Sequence, residues 1–113
     1  DALLGAAILR DIGFHFPNTN DKYKNADSKL LLKDVVKLLK EKNYAIGNID
    51  ATLAMEAPKI NPHITAMQNA IAPILEVDTD CVSIKATTNE KLGYVGKEEG
   101  VNAYAVALIY KKS

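Results

Sequence analysis

A chain of 113 residues, 48% of them hydrophobic, is long enough for one packed domain and short enough that partner subunits often complete its burial. Its 14 Lys and Arg residues balance 14 Asp and Glu residues, so the basic excess typical of nucleic-acid-binding proteins is absent. The only cysteine, Cys81, excludes an internal disulfide and a zinc site built of thiolates within one chain, and it favours a reducing compartment. We therefore expect one domain over residues 1–113 and no nucleic-acid partner.

The first predicted element is a helix from about Asp1 to Arg10, which stops before Gly13. Its apolar run, Ala2–Leu9, is far too short to span a bilayer and lacks the basic flank of a signal peptide, so no membrane contact is expected. The chain enters this run without a starting Met, which suggests that a segment before Asp1 is missing. A polar loop over Phe14–Tyr23 is predicted to follow.

The next predicted elements are a helix and a strand, each with one apolar face. Asp27 or Ser28 can cap a helix that extends to about Lys42. Its apolar residues recur at helical spacing, at Leu31, Leu32, Val35, Leu38 and Leu39. From Gly47 through Met55 the residues alternate between two faces, which predicts a strand with one buried face.

The remaining chain predicts one more helix and two more strands. Asn61-Pro62 begins the helix, and Pro73 is expected to kink or end it. Alternation over Val82–Thr87 predicts a half-buried strand. The last strand, about Val101–Tyr110, is apolar on both faces, which is typical of a central strand.

This order of elements predicts an α/β sandwich, in which helices pack on one face of a mixed sheet. So few strands are unusual for a sheet that contains a buried central strand, which suggests that an N-terminal strand is absent from the sequence. Another subunit could cover the second face of the sheet.

The segment Lys85–Gly93 carries the densest set of phosphate-binding and metal-binding groups in the sequence. Thr87 and Thr88 offer adjacent hydroxyl donors, and Glu90 offers a hard carboxylate ligand for a divalent cation. Lys97 adds positive charge nearby. The pattern indicates a diphosphate site, but on these residues alone it is equally typical of a strand end followed by a turn.

Two other loops could contribute to a site. Asp11 could accept hydrogen bonds from a substrate hydroxyl, and Gly13 could permit close backbone approach. The segment Met55–Asn61 follows a strand end, the usual position of pockets in α/β sheets, and its backbone could contact a flat heterocycle. Each loop taken alone is more typical of an ordinary connection. His15 and His63 are too few for a closed zinc site within this chain.

Several short segments, each weak alone, occur in one order and at compatible spacing. They are Asp1–Ala7, Asp11–Gly13, Phe16-Pro17, Ala26–Ser28, Gly47–Asp50, Ala57–Lys59 and Lys85–Gly93, with Gly96 and Glu99-Gly100 after them. Together they closely resemble the 2-C-methyl-D-erythritol 2,4-cyclodiphosphate synthases. The resemblance covers essentially the whole chain.

The resemblance implies a homotrimeric lyase of the non-mevalonate isoprenoid pathway, with the sheets facing the trimer interior. The implied reaction closes 4-diphosphocytidyl-2-C-methyl-D-erythritol 2-phosphate to 2-C-methyl-D-erythritol 2,4-cyclodiphosphate and releases CMP, with the 2-phosphate as nucleophile at the β-phosphorus. The protein would position the reacting ends and neutralise charge rather than supply a covalent nucleophile. The implied location is the bacterial cytoplasm, a plastid or an apicoplast.

Matching positions also imply roles for individual residues. Thr88 is the implied catalytic residue, and Glu90 is the implied ligand of the Mg²⁺ or Mn²⁺ that bridges the phosphates. The methylerythritol phosphate would be bound by Asp11, Ile12, Gly13, Phe16, Pro17, Asn18, Thr19 and Asn20. The cytosine would be bound through backbone groups of Met55, Glu56, Ala57, Pro58, Lys59, Ile60 and Asn61. The diphosphate would be bound by Thr87, Thr88, Asn89 and Glu90, with Tyr94 and Lys97 completing that side.

The family's Zn²⁺ ligands have no counterpart in the sequence. They are an Asp-x-His pair and a later histidine, which by position would lie upstream of Asp1, and Asp1 could support one of them. The sequence also departs from the family at Asn18 and Asn20, where carboxylates are usual, and at Lys97, where arginine is usual. If this sequence were the complete polypeptide, we would expect no zinc site and no activity.

Two other functions stay open at this stage. One is a non-catalytic trimeric module of the same shape that binds a cytidine or isoprenoid diphosphate as a sensor. The other is a purely structural trimerisation domain. Dependence of turnover on Thr88 and Glu90 would distinguish the enzyme from both.

Overall fold

The computed structural model describes residues 1–17 and 27–112. The helices are α1 (Ala2–Ala6), α2 (Ile12–His15), α3 (Ser28–Glu41), α4 (Ile64–Leu75) and α5 (Gly93–Gly96). The strands are β1 (Tyr44–Ala54), β2 (Val82–Thr87) and β3 (Asn102–Lys111), and 3-10 turns cover Asn61–His63 and Thr79–Cys81. The predicted order of the longer elements is confirmed, and α2 and α5 are additional short helices. Within the described ranges, none of the helices has the length and hydropathy needed to cross a bilayer.

A mixed sheet of three strands, in the order β2-β1-β3, organises the described residues. β1 pairs in parallel with β2, from Ile49 opposite Val82 to Ala54 opposite Thr87. It pairs in antiparallel orientation with β3, from Tyr44 opposite Lys111 onward. The predicted α/β fold with a mixed sheet and helices is therefore confirmed.

Helices α1, α3 and α4 pack on one face of the sheet and form the core with it. Leu4 of α1 and Val82 of β2 are almost completely buried there. Along β2, Val82 and Ile84 are buried, whereas Ser83 and Lys85 are exposed. The strand therefore presents its apolar side chains to the helices and its polar ones to the open face of the sheet.

Helix α3 forms where the sequence predicts it, because both its start and its apolar face are locally specified. The carboxylate of Asp27 caps the first turn and accepts a hydrogen bond from the backbone N–H of Lys29 at 2.8 Å. On the face toward the core, Val35, Val36 and Leu39 are buried. The predicted boundaries of this helix are confirmed to within one residue.

The first helix is shorter than predicted. α1 ends at Ala6, because Ile8 and Arg10 adopt left-handed backbone conformations with φ of 57° and 73°. α2 then occupies Ile12–His15, where a helix stop and a loop were predicted. The later part of that predicted loop, residues 18–23, lies outside the described residues.

Helix α4 extends beyond the proline that was expected to kink or end it. Pro73 lies inside the helix, which continues to Leu75 and stops where Glu76 adopts a left-handed conformation with φ of 61°. The carbonyl groups of Ala72 and Pro73 accept hydrogen bonds from the N–H groups of Val77 and Glu76. Pro73 has no N–H to donate to the carbonyl group of Asn69, so the helix loses one hydrogen bond there but does not end at the proline.

β3 is an edge strand of the sheet rather than the predicted central strand, and β1 occupies the centre. One face of β3 packs toward the helices through Ala107 and Ile109. The other face exposes a stripe of large apolar side chains, Tyr104, Val106, Leu108 and Tyr110, with 55–72% of each accessible. The apolar pattern on both faces therefore does not reflect two covered faces within this chain.

Candidate functional site

The carboxyl ends of the parallel strands β1 and β2 open into a cavity of about 210 Å³. Its walls are the segment after β1 and the end of β2, namely Met55, Glu56, Pro58, Lys59, Ile60, Asn61, Ala86, Thr87 and Thr88. The N–H of Met55 donates to the carbonyl of Thr87 at 3.0 Å and joins the two walls. The structure thus brings most of the predicted cytosine segment together with the two predicted diphosphate hydroxyls.

The segment after β1 is held by backbone features. The peptide bond between Ala57 and Pro58 is cis, and Ile60 is buried. The N–H of His63 donates to the carbonyl of Ile60 at 2.7 Å as the 3-10 turn begins. The side chain of Lys59 is exposed at the cavity, where its ammonium group can meet an anion.

The two threonines at the end of β2 are exposed and make only long hydrogen bonds. The hydroxyl of Thr87 donates to the carbonyl of Thr88 at 3.4 Å, and the hydroxyl oxygen of Thr88 accepts from the N–H of Glu90 at 3.4 Å. Bonds of that length are weak. Both hydroxyls therefore remain available to donate to phosphate oxygens.

The turn after β2 has backbone conformations that residues with side chains rarely adopt. Glu90 and Lys91 have φ of 52° and 63°, and Gly93 has φ of 67°. Left-handed conformations cost about 1–2 kcal/mol for each residue with a side chain. Compensation comes from the Glu56 carboxylate, whose Oε1 accepts hydrogen bonds from the N–H groups of Asn89 at 2.9 Å and Lys91 at 3.2 Å.

Helix α5 packs tightly against this turn. A Cβ added at Gly96 would lie 2.6 Å from the Cα and 2.8 Å from the carbonyl oxygen of Lys91, closer than real Cβ atoms approach. A second, open cavity of about 550 Å³ lies beside this contact, lined by Glu56, Lys91, Gly96, Lys97 and Glu98. The predicted site residue Lys97 therefore lies next to the turn.

Tyr94 in α5 is only partly available for a substrate. Its hydroxyl group donates to the side-chain oxygen of Asn102 at 2.5 Å, although 52% of the residue is accessible. This bond ties α5 to the first residue of β3. Tyr94 lines neither cavity at the end of the sheet, and its contact with the diphosphate stays a prediction.

Glu90 fits the predicted role of a divalent-cation ligand. Its side chain is exposed, and it makes no ion pair with any part of the chain that the structure describes. An exposed carboxylate of this kind suits Mg²⁺ or Mn²⁺, which take their other ligands from phosphate oxygens and water; Glu90 lines neither cavity, and its role as a cation ligand stays a prediction. Among residues 1–17 and 27–112, no group of three or more His, Cys, Asp and Glu side chains is arranged to hold a metal ion.

Residues 11–17, the described part of the predicted methylerythritol loop, do not line the cavity. Asp11 caps α2, and its Oδ1 accepts a hydrogen bond from the N–H of Phe14 at 3.0 Å. The N–H of Ile12 donates to Oδ1 of Asp1 at 2.8 Å. A Cβ at Gly13 would meet nothing closer than 3.9 Å, so packing within this chain does not require glycine there.

The rest of that loop is only partly described. Phe16 is half-buried and packs against the core, whereas Pro17 is exposed. Asn18, Thr19 and Asn20 lie outside the described residues. The predicted binding of the methylerythritol phosphate by residues 11–20 therefore stays a prediction.

Lys85, which precedes the threonines on β2, is neutralised by a carboxylate on the open face of the sheet. Its ammonium group donates to Oδ1 of Asp50 at 2.6 Å. This hydrogen bond, with a second one from Ser83, holds the pKa of Asp50 below its usual value of 3.8. Lys85 lines neither cavity at the end of the sheet.

Another cavity, of about 270 Å³, lies at the opposite end of β1, beside Tyr44. Apolar side chains of α3 and α4 form much of its wall. Its charged residues include Lys40 and Glu76, which neutralise each other in an ion pair. None of the predicted site residues lines it, so the cavity at the ends of β1 and β2 is the candidate site.

Comparison with known proteins identifies the family. The model of the YgbB family matches residues 1–110. The chain belongs to the YgbB family. The YgbB chain is 62% identical over 111 residues to the 2-C-methyl-D-erythritol 2,4-cyclodiphosphate synthase of Cytophaga hutchinsonii, covering 98% of this chain and 70% of the relative. Its identity to the enzyme of the same name from Parabacteroides distasonis is 58% over 111 residues, covering 98% and 69%.

Solved structures agree with this identification. The bifunctional IspDF of Campylobacter jejuni superposes with a TM-score of 0.95 at 39% identity. The match covers 99% of this chain and 30% of the Campylobacter jejuni protein. IspF of Plasmodium falciparum in complex with CDP gives a TM-score of 0.87 at 32% identity, covering 100% and 67%. The predicted family and the function as a cyclodiphosphate synthase, a lyase of isoprenoid biosynthesis, are confirmed. These names do not support the non-catalytic binding module.

Sequence reasoning missed two features of the YgbB site. It placed Glu56 at the cytosine through its backbone, whereas the side chain holds the turn that carries Glu90. It noted Gly96 only as part of a motif, whereas this residue permits the close contact with Lys91. The available signals were an acidic residue two positions after β1 and a glycine shortly after a polar turn. Neither signal indicates which residue the side chain or the glycine contacts.

Proposed function

We propose that this chain converts 4-diphosphocytidyl-2-C-methyl-D-erythritol 2-phosphate to the 2,4-cyclodiphosphate and CMP, with the cytidine diphosphate part in the cavity at the ends of β1 and β2. The observation that carries the proposal is the convergence of the Met55–Asn61 segment with Thr87 and Thr88 around one cavity. The CDP bound by a relative of the same fold supports the class of ligand.

In the proposed reaction, an oxygen of the 2-phosphate attacks the β-phosphorus of the diphosphate. A new P–O bond closes the ring, the bond from the β-phosphorus to the oxygen bridging the α-phosphorus breaks, and CMP departs with that oxygen. Backbone groups of Met55–Asn61 would orient the cytosine. The hydroxyl of Thr88, exposed at the cavity, would donate to a phosphate oxygen whose negative charge grows in the transition state.

Glu90 would hold Mg²⁺ or Mn²⁺, which neutralises charge on the α- and β-phosphates when bound. Lys97 lies beside the same turn and would add fixed positive charge on that side. The described residues of this chain offer no cluster that suits Zn²⁺, whose ligands we expect upstream of Asp1.

We further propose a homotrimer in which the open faces of the sheets meet. The support is the exposed apolar stripe on β3, formed by Tyr104, Val106, Leu108 and Tyr110, since contiguous apolar patches commonly mark interfaces.

The relatives from Cytophaga hutchinsonii and Parabacteroides distasonis are bacterial, which favours a bacterial cytoplasmic location over a plastid.

Sedimentation tests the proposed trimer. Val106→Asp places a charge in the middle of the apolar stripe and should dissociate the assembly to monomers. Leu30→Asp, at an exposed apolar residue of α3, is the matched control and should leave the assembly intact. Equal dissociation by both variants, or an assembly that Val106→Asp leaves unchanged, would contradict the proposed interface.

The proposed reaction is tested by CMP release from 4-diphosphocytidyl-2-C-methyl-D-erythritol 2-phosphate, with Zn²⁺ and Mg²⁺ or Mn²⁺ present. We expect release that depends on the divalent cation and is lost in Glu90→Ala. The control is Glu41→Ala, which removes an exposed carboxylate from the end of α3 and should retain activity. Tight binding of the compound without CMP release would contradict the proposal and favour a sensor.

A further inference from the structure

The side chain of Glu56 connects the two walls of the site. A single carboxylate oxygen, Oε1, accepts hydrogen bonds from the N–H groups of Asn89 at 2.9 Å and Lys91 at 3.2 Å. These two residues flank Glu90, so the carboxylate binds the backbone on both sides of the proposed cation ligand. Glu56 also lines both cavities beside this turn.

The turn that Glu56 holds has one backbone hydrogen bond of its own, from the N–H of Leu92 to the carbonyl of Asn89 at 2.9 Å, but its backbone angles are unfavourable. Glu90 and Lys91 both have left-handed backbone conformations, which residues with side chains seldom adopt. The hydrogen bond between the N–H of Glu90 and the Thr88 hydroxyl is long, at 3.4 Å. The bonds to Glu56, at 2.9 and 3.2 Å, are shorter, so among the described residues its carboxylate is the closest side-chain acceptor for the backbone of this turn.

Helix α5 restricts the same turn from a second side. Gly96 lies so close to Lys91 that a Cβ would clash with the Lys91 backbone. Glu56 and Gly96 together thus leave the turn little room to relax. Because Thr88 and Glu90 belong to this turn, its shape determines whether their side chains can reach one diphosphate together.

We infer, on the basis of the proposed function, that Glu56 is a positioning residue: its carboxylate fixes the turn so that the Thr88 hydroxyl and the Glu90 carboxylate act on the same diphosphate, and it binds neither cation nor substrate itself. Its Oε1 is already occupied by two donors. The role requires an acceptor oxygen at the length of a glutamate side chain. It does not require the negative charge that a cation ligand would need.

Because only a cation ligand needs the negative charge, the two roles predict different orders of activity among Glu56 variants of the complete, assembled protein. Glu56→Gln keeps an acceptor oxygen at the same reach and loses the charge, whereas Glu56→Asp keeps the charge and is shorter by one methylene group. For a positioning role, Glu56→Gln should remain within about threefold of the wild type, since an amide oxygen accepts the same bonds. Glu56→Asp and Glu56→Ala should raise the Mn²⁺ concentration for half-maximal activity by about 10- to 100-fold.

Two quantities are measured for each variant: the Mn²⁺ dependence of CMP release, and the hydrogen-exchange rates of the Asn89 and Lys91 amides. We expect faster exchange at both amides in Glu56→Asp and Glu56→Ala, and near-normal exchange in Glu56→Gln. Glu41→Gln, at an exposed carboxylate on α3, is the control and should change neither quantity. If Glu56→Asp is active and Glu56→Gln is not, the carboxylate is a ligand and the inference is overturned.

The exchange measurement also separates failure of this inference from failure of the proposed function. Should the wild type release no CMP, the proposed function fails, while exchange at Asn89 and Lys91 still decides the positioning role. Unchanged exchange in a folded Glu56→Ala protein would overturn the inference whatever the activity. If Glu56→Ala does not fold, Glu56→Gln and Glu56→Asp decide the question, because both retain an acceptor.

Discussion

Replacing Gly96 by alanine should disable the site without unfolding the protein. The added Cβ would lie 2.6 Å from the Cα of Lys91, whereas ordinary contact begins near 3.4 Å. The carbonyl carbon of Lys91 would lie closer still, so the turn must retreat by more than the 0.8 Å that separates these two distances. The obstructing atoms belong to the backbone, so no side-chain rotation can relieve the clash.

The retreat should separate the turn from Glu56 and move Thr88 and Glu90 relative to the diphosphate. Displacements near 1 Å can reduce turnover about 100-fold. Overpacking typically lowers the free energy of unfolding by about 1–3 kcal/mol. We therefore expect a folded Gly96→Ala protein with CMP release reduced about 100-fold.

The assay compares initial rates of CMP release and urea unfolding for Gly96→Ala and Gly5→Ala. Gly5 lies in α1, and a Cβ there would meet nothing within 4 Å. The control should keep its activity and gain up to about 1 kcal/mol of stability from the higher helix propensity of alanine. If Gly96→Ala releases CMP at the wild-type rate, the turn is not held as described.

Three further results are expected. Thr88→Ala should lower kcat for CMP release by about 100- to 1000-fold, whereas Thr88→Ser retains the hydroxyl and most of the activity; equal rates for both would contradict the role of the hydroxyl. Leu39→Ala, at a completely buried residue, should lower the free energy of unfolding by about 2–5 kcal/mol in urea, whereas Leu30→Ala, at an exposed one, should change it by less than about 0.5 kcal/mol. The Lys85 hydrogen bond lowers the pKa of Asp50, so the stability it contributes is complete above pH 3.8 and is lost as the pH falls through the lower pKa of the folded state. In acid titrations at low salt, Asp50→Asn should therefore lose less stability below pH 3.8 than the wild type does; identical curves would contradict the pairing.

Elements specified by neighbouring residues could be predicted from the sequence. The cap at Asp27 and the periodic apolar face after it fixed the position of α3. Strict alternation fixed β2 at Val82–Thr87. In both cases the signal and the structure involve contacts within a few residues along the chain.

Features that depend on distant contacts were not predictable in the same way. Ile8 has a left-handed backbone conformation in an apolar run that reads as one continuous helix, and this ends α1 early. β3 is apolar on both faces yet lies at the sheet edge, because pairing order depends on the whole topology and not on the strand's own composition. Pro73 reads as a helix stop, but α4 accommodates it in its last turn.

The candidate site shows the same division. The family resemblance placed Thr87, Thr88 and the segment after β1 at one site, and the cavity brings them together. The contact from Glu56 to Asn89 spans 33 residues, and no local pattern indicates it. The fold thus supplies the part of the site that holds the turn in place.

We propose that this site closes a ring between two phosphates of one substrate. The most direct test is ³¹P NMR of the complete protein with 4-diphosphocytidyl-2-C-methyl-D-erythritol 2-phosphate and a divalent cation. We predict that the 2-phosphate monoester signal disappears as one CMP and one cyclic diphosphate form per substrate. Release of CMP with persistence of the 2-phosphate monoester would show hydrolysis instead, and would contradict the claim.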